Sequence, residues 1–228
     1  GSGVVHRRRG WGCMVLEPWR RKAITGLGRA RWASGEPGVA ALPTFDWKMQ
    51  MEFAECRSSE DVFKLLRKYE GKVPLAPVTA NTAAYILAKA NKRGKPERRV
   101  TDAVGRLARV LMDREWEASS RNFVQVLWSS ATVRVRDADL WDRAVKALVR
   151  RMPTLEPREL SEACWACANG GVQDQKLGEA LSNQFASTLN TANDQDVAMA
   201  SFGLATMDAM TPPAADAVAR YIARRMDV

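Results

Sequence analysis

Histidine is almost absent from this chain of 228 residues, which contains His6 alone. A Ser–His–Asp or Cys–His catalytic arrangement would have to use His6, which stands in a segment rich in glycine and arginine, so we expect no such active site. The sequence also has no phosphate-binding glycine loop and no dinucleotide-binding fingerprint. We therefore expect a protein that is not an enzyme and that uses no cofactor.

Cysteine is scarce as well, with Cys13, Cys56, Cys164 and Cys167, and their irregular spacing fits a reducing compartment better than a disulfide scaffold. Cys164 and Cys167 form a CxxC motif, which elsewhere serves as a redox pair or as half of a zinc site. A second such motif is missing, so we expect no metal site within this chain and interpret both cysteines as packing residues. A site shared with a partner is the alternative.

Long apolar runs are missing too, since no stretch reaches the roughly 18 residues that a membrane-spanning helix needs. What the chain has in excess is positive charge, with 35 Lys and Arg against 26 Asp and Glu and a net charge of +9. Such a balance favours nucleic acid as a partner, and an anionic membrane surface after it. Residues 1–48 hold nine of the basic residues and only three acids.

Residues 1–56 are predicted to form an irregular basic arm, because glycine and proline interrupt any long helix there. The arm combines cations that suit phosphate groups with tryptophans that could stack on unpaired bases. The predicted RNA-contacting residues of the arm are Arg7, Arg8, Arg9, Trp11, Trp19, Arg20, Arg21, Lys22, Arg29, Arg31 and Trp32. Docking of the arm on a protein is the alternative. An Arg-rich, acid-poor beginning is typical of an organellar import signal, and equally of an ordinary basic tail.

Residues 57–228 show helical periodicity and no strand-like alternation, which predicts an all-α fold. Four gap-free segments repeat, and their equivalent alanines are separated by 41, 37 and 37 residues: Ala90, Ala131, Ala168 and Ala205. Three positions before each alanine stands a bulky apolar residue: Leu87, Trp128, Trp165 and Phe202. The next position is always small: Ala88, Ser129, Ala166 and Gly203. This pairing predicts closely stacked helices in an α-solenoid of about four and a half helix–turn–helix units.

The clearest unit lies within residues 148–173. Its pattern is carried by Leu148, Arg151, Met152, Leu155, Pro157, Glu159, Leu160, Trp165, Ala166, Ala168 and Gly171. It resembles the octotricopeptide repeat of algal organelle proteins and the related helical repeats of FAST-kinase-like proteins. The resemblance covers about three quarters of the chain and leaves residues 1–56 unmatched. HEAT-like repeats are the alternative on period alone.

That resemblance implies a mitochondrial or plastid protein that handles organellar RNA, in transcript stability, processing or translation or as part of the mitochondrial ribosome. The small RAP domain found at the end of many relatives is not recognisable here. We expect a structural, rRNA-contacting ribosomal subunit of the mitochondrion that packs on RNA and neighbouring proteins. The alternatives are a transcript-specific RNA factor and a protein-only scaffold.

On the solenoid, polar and basic residues near the second helix of each unit are further candidates for RNA contact. They are Lys89, Lys92, Arg93, Arg121, Asn122, Gln125 and Arg158. Polar side chains at helix starts, here Asn81, Glu159, Glu162 and Asp196 as well, read bases in some repeat proteins. Their alternative role is to satisfy free backbone amides at the start of a helix.

Overall fold

The computed structural model describes residues 44–72 and 74–226, and within them all regular structure is helical. The ten α-helices are α1 (Thr44–Glu55), α2 (Ser59–Tyr69), α3 (Pro77–Ala90), α4 (Arg98–Asp113), α5 (Ser120–Thr132), α6 (Ala138–Arg151), α7 (Pro157–Gly170), α8 (Gln175–Thr188), α9 (Asp194–Thr206) and α10 (Pro212–Met226). The predicted all-α fold is confirmed. Among these helices, none has the length and hydropathy that crossing a membrane requires.

The helices form two layers. Helices α1, α3, α5, α7 and α9 pack one on the next, and we call them the inner layer. The others lie against them, with α4 packed on α6 and α8 packed on α10. Units α2–α3, α4–α5, α6–α7 and α8–α9, followed by the single helix α10, are the predicted four and a half repeats.

The period of the last units is regular. Helices α5, α7 and α9 begin at Ser120, Pro157 and Asp194, each 37 residues after the one before. Short 3-10 turns link the two helices of these units at Glu115–Glu117, Met152–Thr154 and Leu189–Thr191. Each unit therefore repeats the same backbone path and differs mainly in its side chains.

Helix α1 corrects the predicted extent of the irregular arm, which was placed over residues 1–56. Residues 44–55 are helical, and Met49 and Phe53 are fully buried where α1 packs on α3. The two apolar residues are spaced by four positions, so they share one helix face and cover the otherwise open side of α3. The ordered array thus includes one inner-layer helix more than the sequence predicted.

The column of small residues brings the inner-layer helices into close contact, as predicted. Ala88, Ser129 and Ala166 are fully buried. A Cβ atom on Gly203 would lie 2.6 Å from the carbonyl carbon of Cys164, so α9 approaches the backbone of α7 too closely for any side chain. At this position glycine is required by the packing distance between the helices.

The bulky column differs from the prediction that it packs between helices. Leu87 is buried, but Trp128 and Trp165 are half-buried and Phe202 is 56% exposed. Consecutive residues on an α-helix point about 100° apart. When the small residue faces the neighbouring helix, the aromatic residue beside it is turned toward the surface of the layer.

Arg151 forms hydrogen bonds that link two neighbouring units. Its guanidinium donates hydrogen bonds to the backbone oxygens of Ala118, at 3.0 Å, and Glu115, at 2.5 Å. The same group lies 4.9 Å from the centre of the Phe123 ring. The end of α6 is thereby fixed to the turn that precedes α5.

Candidate nucleic-acid interface

The predicted RNA contacts of the arm, from Arg7 to Trp32, lie outside the residues that the structure describes. The candidates on the solenoid are all described. They lie on the inner-layer helices α3, α5, α7 and α9 and in the loop that follows α3, and several of them share one stripe of that layer.

The stripe faces solvent because of how α5 is surrounded. This helix has α3 on one side, α7 on the other and α4 behind it. Its partly exposed residues Arg121, Gln125, Trp128 and Thr132 recur every three or four positions and so lie on the one remaining side. The equivalent stripe of α7 contains Arg158, Glu162, Trp165 and Asn169.

Three aromatic rings follow one another across the stripe, and we call them the aromatic row. The ring centres of Tyr85 and Trp128 are 5.6 Å apart, and those of Trp128 and Trp165 are 6.0 Å apart. These distances are those of interacting rings. Each of the first three units thus contributes one half-buried ring to a surface on which planar groups can stack.

Basic residues lie beside the row near the start of α5 and α7. Burial, and then the charge of Arg158, lower the pKa of Arg121. The Arg158 Nε atom donates a hydrogen bond to Glu162 at 3.1 Å. Burial raises the pKa of Glu162, while Arg158 and Arg121 oppose that rise. Arg121 is thus partly desolvated near the Arg158–Glu162 pair, and the two cations with one carboxylate leave this part of the stripe with a net positive charge.

Three predicted base readers are hydrogen-bonded to one another across two neighbouring helices. The side-chain amide of Asn81, which is buried, donates hydrogen bonds to Asn122 Oδ1 at 3.3 Å and to Gln125 Oε1 at 2.8 Å. These contacts link α3 to α5 across the inner layer. The Gln125 amide group still carries two donors that a base edge or a phosphate could use.

Two acidic candidates perform the alternative role, capping of a helix. The Glu159 carboxylate accepts from the backbone N–H of Glu156 at 3.1 Å. Asp196 accepts from the backbone N–H of Asn193, whose side chain in turn accepts from Asp196 N at 2.9 Å. Both arrangements are capping boxes at the starts of α7 and α9.

The basic residues after α3 divide between the stripe and solvent. Lys89 Nζ lies 5.9 Å from the centre of the Tyr85 ring, and burial, followed by the charge of Lys92, lowers its pKa. Lys92 is exposed beside Trp128, in a cavity that Arg134, Arg136 and Trp165 also line. Arg93 is exposed and does not line that cavity.

Sequence reasoning missed Tyr85, Arg134 and Arg136 as site residues and assigned Trp128 and Trp165 to packing. A usable signal was present around the tryptophans. Gln125 and Thr132 stand three positions before and four after Trp128. Such neighbours place the tryptophan on a polar stripe of the helix, not on its core face. Glu162 and Asn169 flank Trp165 in the same way.

The cysteines of the CxxC motif lie in the core. Cys164 and Cys167 are buried, and burial raises the pKa of both thiols, that of Cys167 to about 12. Both are therefore protonated at neutral pH, which leaves neither thiol reactive as a nucleophile. Within the described residues, no three His, Cys, Asp or Glu side chains are grouped as metal ligands.

The arrangement places half-buried aromatic rings beside cations, most of them exposed, on one side of the inner layer, which suits non-covalent binding of a polyanion that carries planar groups. Comparison of the chain with models of protein families, and with curated proteins, found no match to either.

Proposed function

We propose that this protein is a non-enzymatic, RNA-binding helical-repeat protein that serves as a structural, rRNA-contacting subunit of a mitochondrial ribosome. RNA binding is supported mainly by the aromatic row Tyr85–Trp128–Trp165 and by the cations that lie beside it. Single-stranded nucleic acid presents both phosphates and flat, unpaired bases, and RNA is the nucleic acid whose loops and ends commonly leave bases unpaired.

The combination of rings and cations favours RNA over the other polyanions. Rings that follow one another beside cations match the alternation of bases and phosphates along a single strand. Unpaired bases stack on such rings whatever their sequence, and each stacked base contributes about 1–3 kcal/mol. The net charge of +9 adds the phosphate attraction that does not depend on sequence.

The structural role is proposed from the arm and the aromatic row together. A basic, tryptophan-rich segment joined to a helical array offers cations and rings for a large RNA and helix surfaces for neighbouring proteins. The resemblance to octotricopeptide and FAST-kinase-like repeats supports an organelle, with the plastid as the alternative to the mitochondrion.

The experiment that tests this proposal is crosslinking of the native protein to RNA in an organelle extract, followed by sequencing of the bound RNA. We expect one region of rRNA, together with cosedimentation of the protein with a ribosomal subunit. A single mRNA would replace the ribosomal role with that of a transcript-specific factor. Absence of crosslinked RNA, with partner binding that resists RNase, would replace the proposal with a protein scaffold.

A further inference from the structure

The aromatic row opens into a cavity at the carboxyl ends of α5 and α7. Its volume is about 430 Å³, within the roughly 300–1,000 Å³ common for small-molecule sites. Its walls include the indole rings of Trp128 and Trp165 and the cationic side chains of Lys92, Arg134 and Arg136. No acidic side chain lines it. We call this cavity the indole–arginine pocket.

Arg134 occupies this pocket in an unfavourable backbone conformation. Its φ angle is +60°, in the left-handed region that favours glycine. The equivalent residues of the next two units, each 37 positions later, are Gly171 and Asp208, with φ angles of +80° and +52°. The inner-layer helices of the last three units all end in this way, and of these three residues only Arg134 lines the pocket.

The turn does not need the arginine side chain. The N–H of Arg134 donates to Ala131 O and that of Val135 to Ser130 O, and the same pair of backbone bonds recurs around Gly171 and around Asp208. These bonds close the helix end in each unit. Glycine at position 134 would serve the turn with less strain, so the backbone itself does not account for the arginine there.

Arg136 is held at the same pocket by a neighbouring unit. Its Nη1 atom donates a hydrogen bond to the backbone oxygen of Gly170, at 3.0 Å, which fixes the guanidinium near the end of α7. Two guanidinium groups and one ammonium group thus surround a space that has two indole rings as its apolar walls.

We propose that the indole–arginine pocket binds one unpaired nucleotide of a single-stranded RNA, with the base stacked on Trp128 or Trp165 and the phosphate held by Lys92 and Arg134. This inference rests on the RNA binding proposed above and adds the site. A strand is favoured over a free nucleotide because the Tyr85 ring lies outside the pocket, 5.6 Å from that of Trp128, and supplies a further ring for the adjoining base.

The test is fluorescence anisotropy of the full chain with a short labelled oligoadenylate and with a blunt RNA duplex of equal length. Trp165→Leu removes one stacking ring, and we expect about 5- to 150-fold weaker binding of the single strand. The double variant Lys92→Gln/Arg134→Gln removes both cations that hold the phosphate. We expect it to lower the slope of log affinity against log salt by about 0.7, the value for one phosphate of a single strand.

Matched controls lie outside the pocket. Trp116→Leu changes a tryptophan that is 75% exposed, and Arg220→Gln/Arg224→Gln removes two exposed charges from α10. We expect both to leave the affinity for oligoadenylate, and its salt slope, near that of the unaltered protein. Lys92 and Arg134 are exposed, so their double variant keeps the core intact even where Trp165→Leu disturbs folding. Circular dichroism reports the fold of every variant.

The outcomes separate the pocket from the wider function. If the unaltered protein binds the single strand and the pocket variants bind as well as their controls, the pocket proposal is wrong and RNA binding stands. If the unaltered protein binds neither RNA, both proposals are wrong. Equal loss of single-strand and duplex binding in Trp165→Leu contradicts base stacking. If adenosine monophosphate displaced the strand and bound with the same affinity as the strand, the pocket would be assigned to a free nucleotide.

Discussion

The indole rings of Trp128 and Trp165 lie 6.0 Å apart between their centres, although they belong to different repeat units. Their planes are inclined by 32°, so neither ring covers the other completely. The pair therefore serves two purposes at once. It is a packing contact between α5 and α7, and it leaves ring surface open on the solvent side of the inner layer.

The packing contact between the Trp128 and Trp165 rings can be measured as a coupling energy. We expect a double-mutant cycle of Trp128→Leu and Trp165→Leu to give about 0.5–1.5 kcal/mol of coupling in the free energy of unfolding, because paired aromatic rings contribute that much beyond buried area. Urea denaturation followed by circular dichroism provides the four values. The cycle of Trp116→Leu with Trp165→Leu is the control and should be additive. Additivity of the Trp128 cycle as well would contradict a ring-to-ring contact.

The left-handed conformation of Arg134 predicts a stabilising substitution. Arg134→Gly relieves a positive φ angle and should raise the free energy of unfolding by about 1 kcal/mol. Gly171→Ala is the mirror experiment at the equivalent turn and should lower it by about the same amount. In addition, a Cβ atom at position 171 would lie 3.1 Å from Arg136 Nη1. Thermal denaturation of both variants measures these changes in stability. If Arg134→Gly were less stable than the unaltered protein, the arginine side chain would itself contribute to the stability of the fold.

Arg151 and Arg150 are neighbours in sequence with different predicted contributions to stability. Arg151→Ala leaves the backbone oxygens of Ala118 and Glu115 without their charged donor, and we expect a loss of about 2–3 kcal/mol in the free energy of unfolding. Arg150 forms a surface ion pair with the Glu115 carboxylate, and Arg150→Ala should cost about 0–1 kcal/mol. Urea denaturation compares them directly. Equal losses would mean that the link between units does not depend on the backbone contacts.

The raised pKa of the Glu162 carboxyl group predicts that the stability of the protein depends on pH. Burial raises the pKa of its carboxyl group above the ordinary 4.5, Asp196 adds to that rise, and Arg158 and Arg121 oppose it. The folded protein therefore holds the proton more tightly than the unfolded chain does. This group makes stability fall as the pH rises from about 4.5 through the raised pKa, and the loss is complete above it.

Glu162→Gln removes that titration, so the variant should gain stability over the unaltered protein as the pH rises, and should bind RNA more tightly because one negative charge has left the stripe. Chemical denaturation at a series of pH values measures the first effect, and anisotropy with oligoadenylate the second. Asp142→Asn, which removes an exposed carboxylate on α6, is the control. A constant stability difference across the pH range would contradict the assigned burial effect.

Much of the fold followed from local pattern. The period of 37 residues, the all-helical content and the small column of Ala88, Ser129, Ala166 and Gly203 were all predictable, because helical spacing and residue size are visible in the sequence itself. Residues 44–55 were not recognised as a helix. The apolar pair Met49 and Phe53 is short, and the glycine- and proline-rich stretch before it dominated the prediction for the whole arm.

The candidate site depended on tertiary structure in a way that no local pattern contains. Whether Trp128 faces a neighbour or solvent is decided by which sides of α5 are already covered, and that requires the positions of α3, α4 and α7. The pocket joins Lys92, Arg134 and Arg136 with Trp165, residues separated by tens of positions in the chain. The sequence alone determined the repeating helices, since hydrophobic spacing acts within one helix. Only the stacking of those helices decided which rings and charges share a surface, because side chains from different units meet through packing alone.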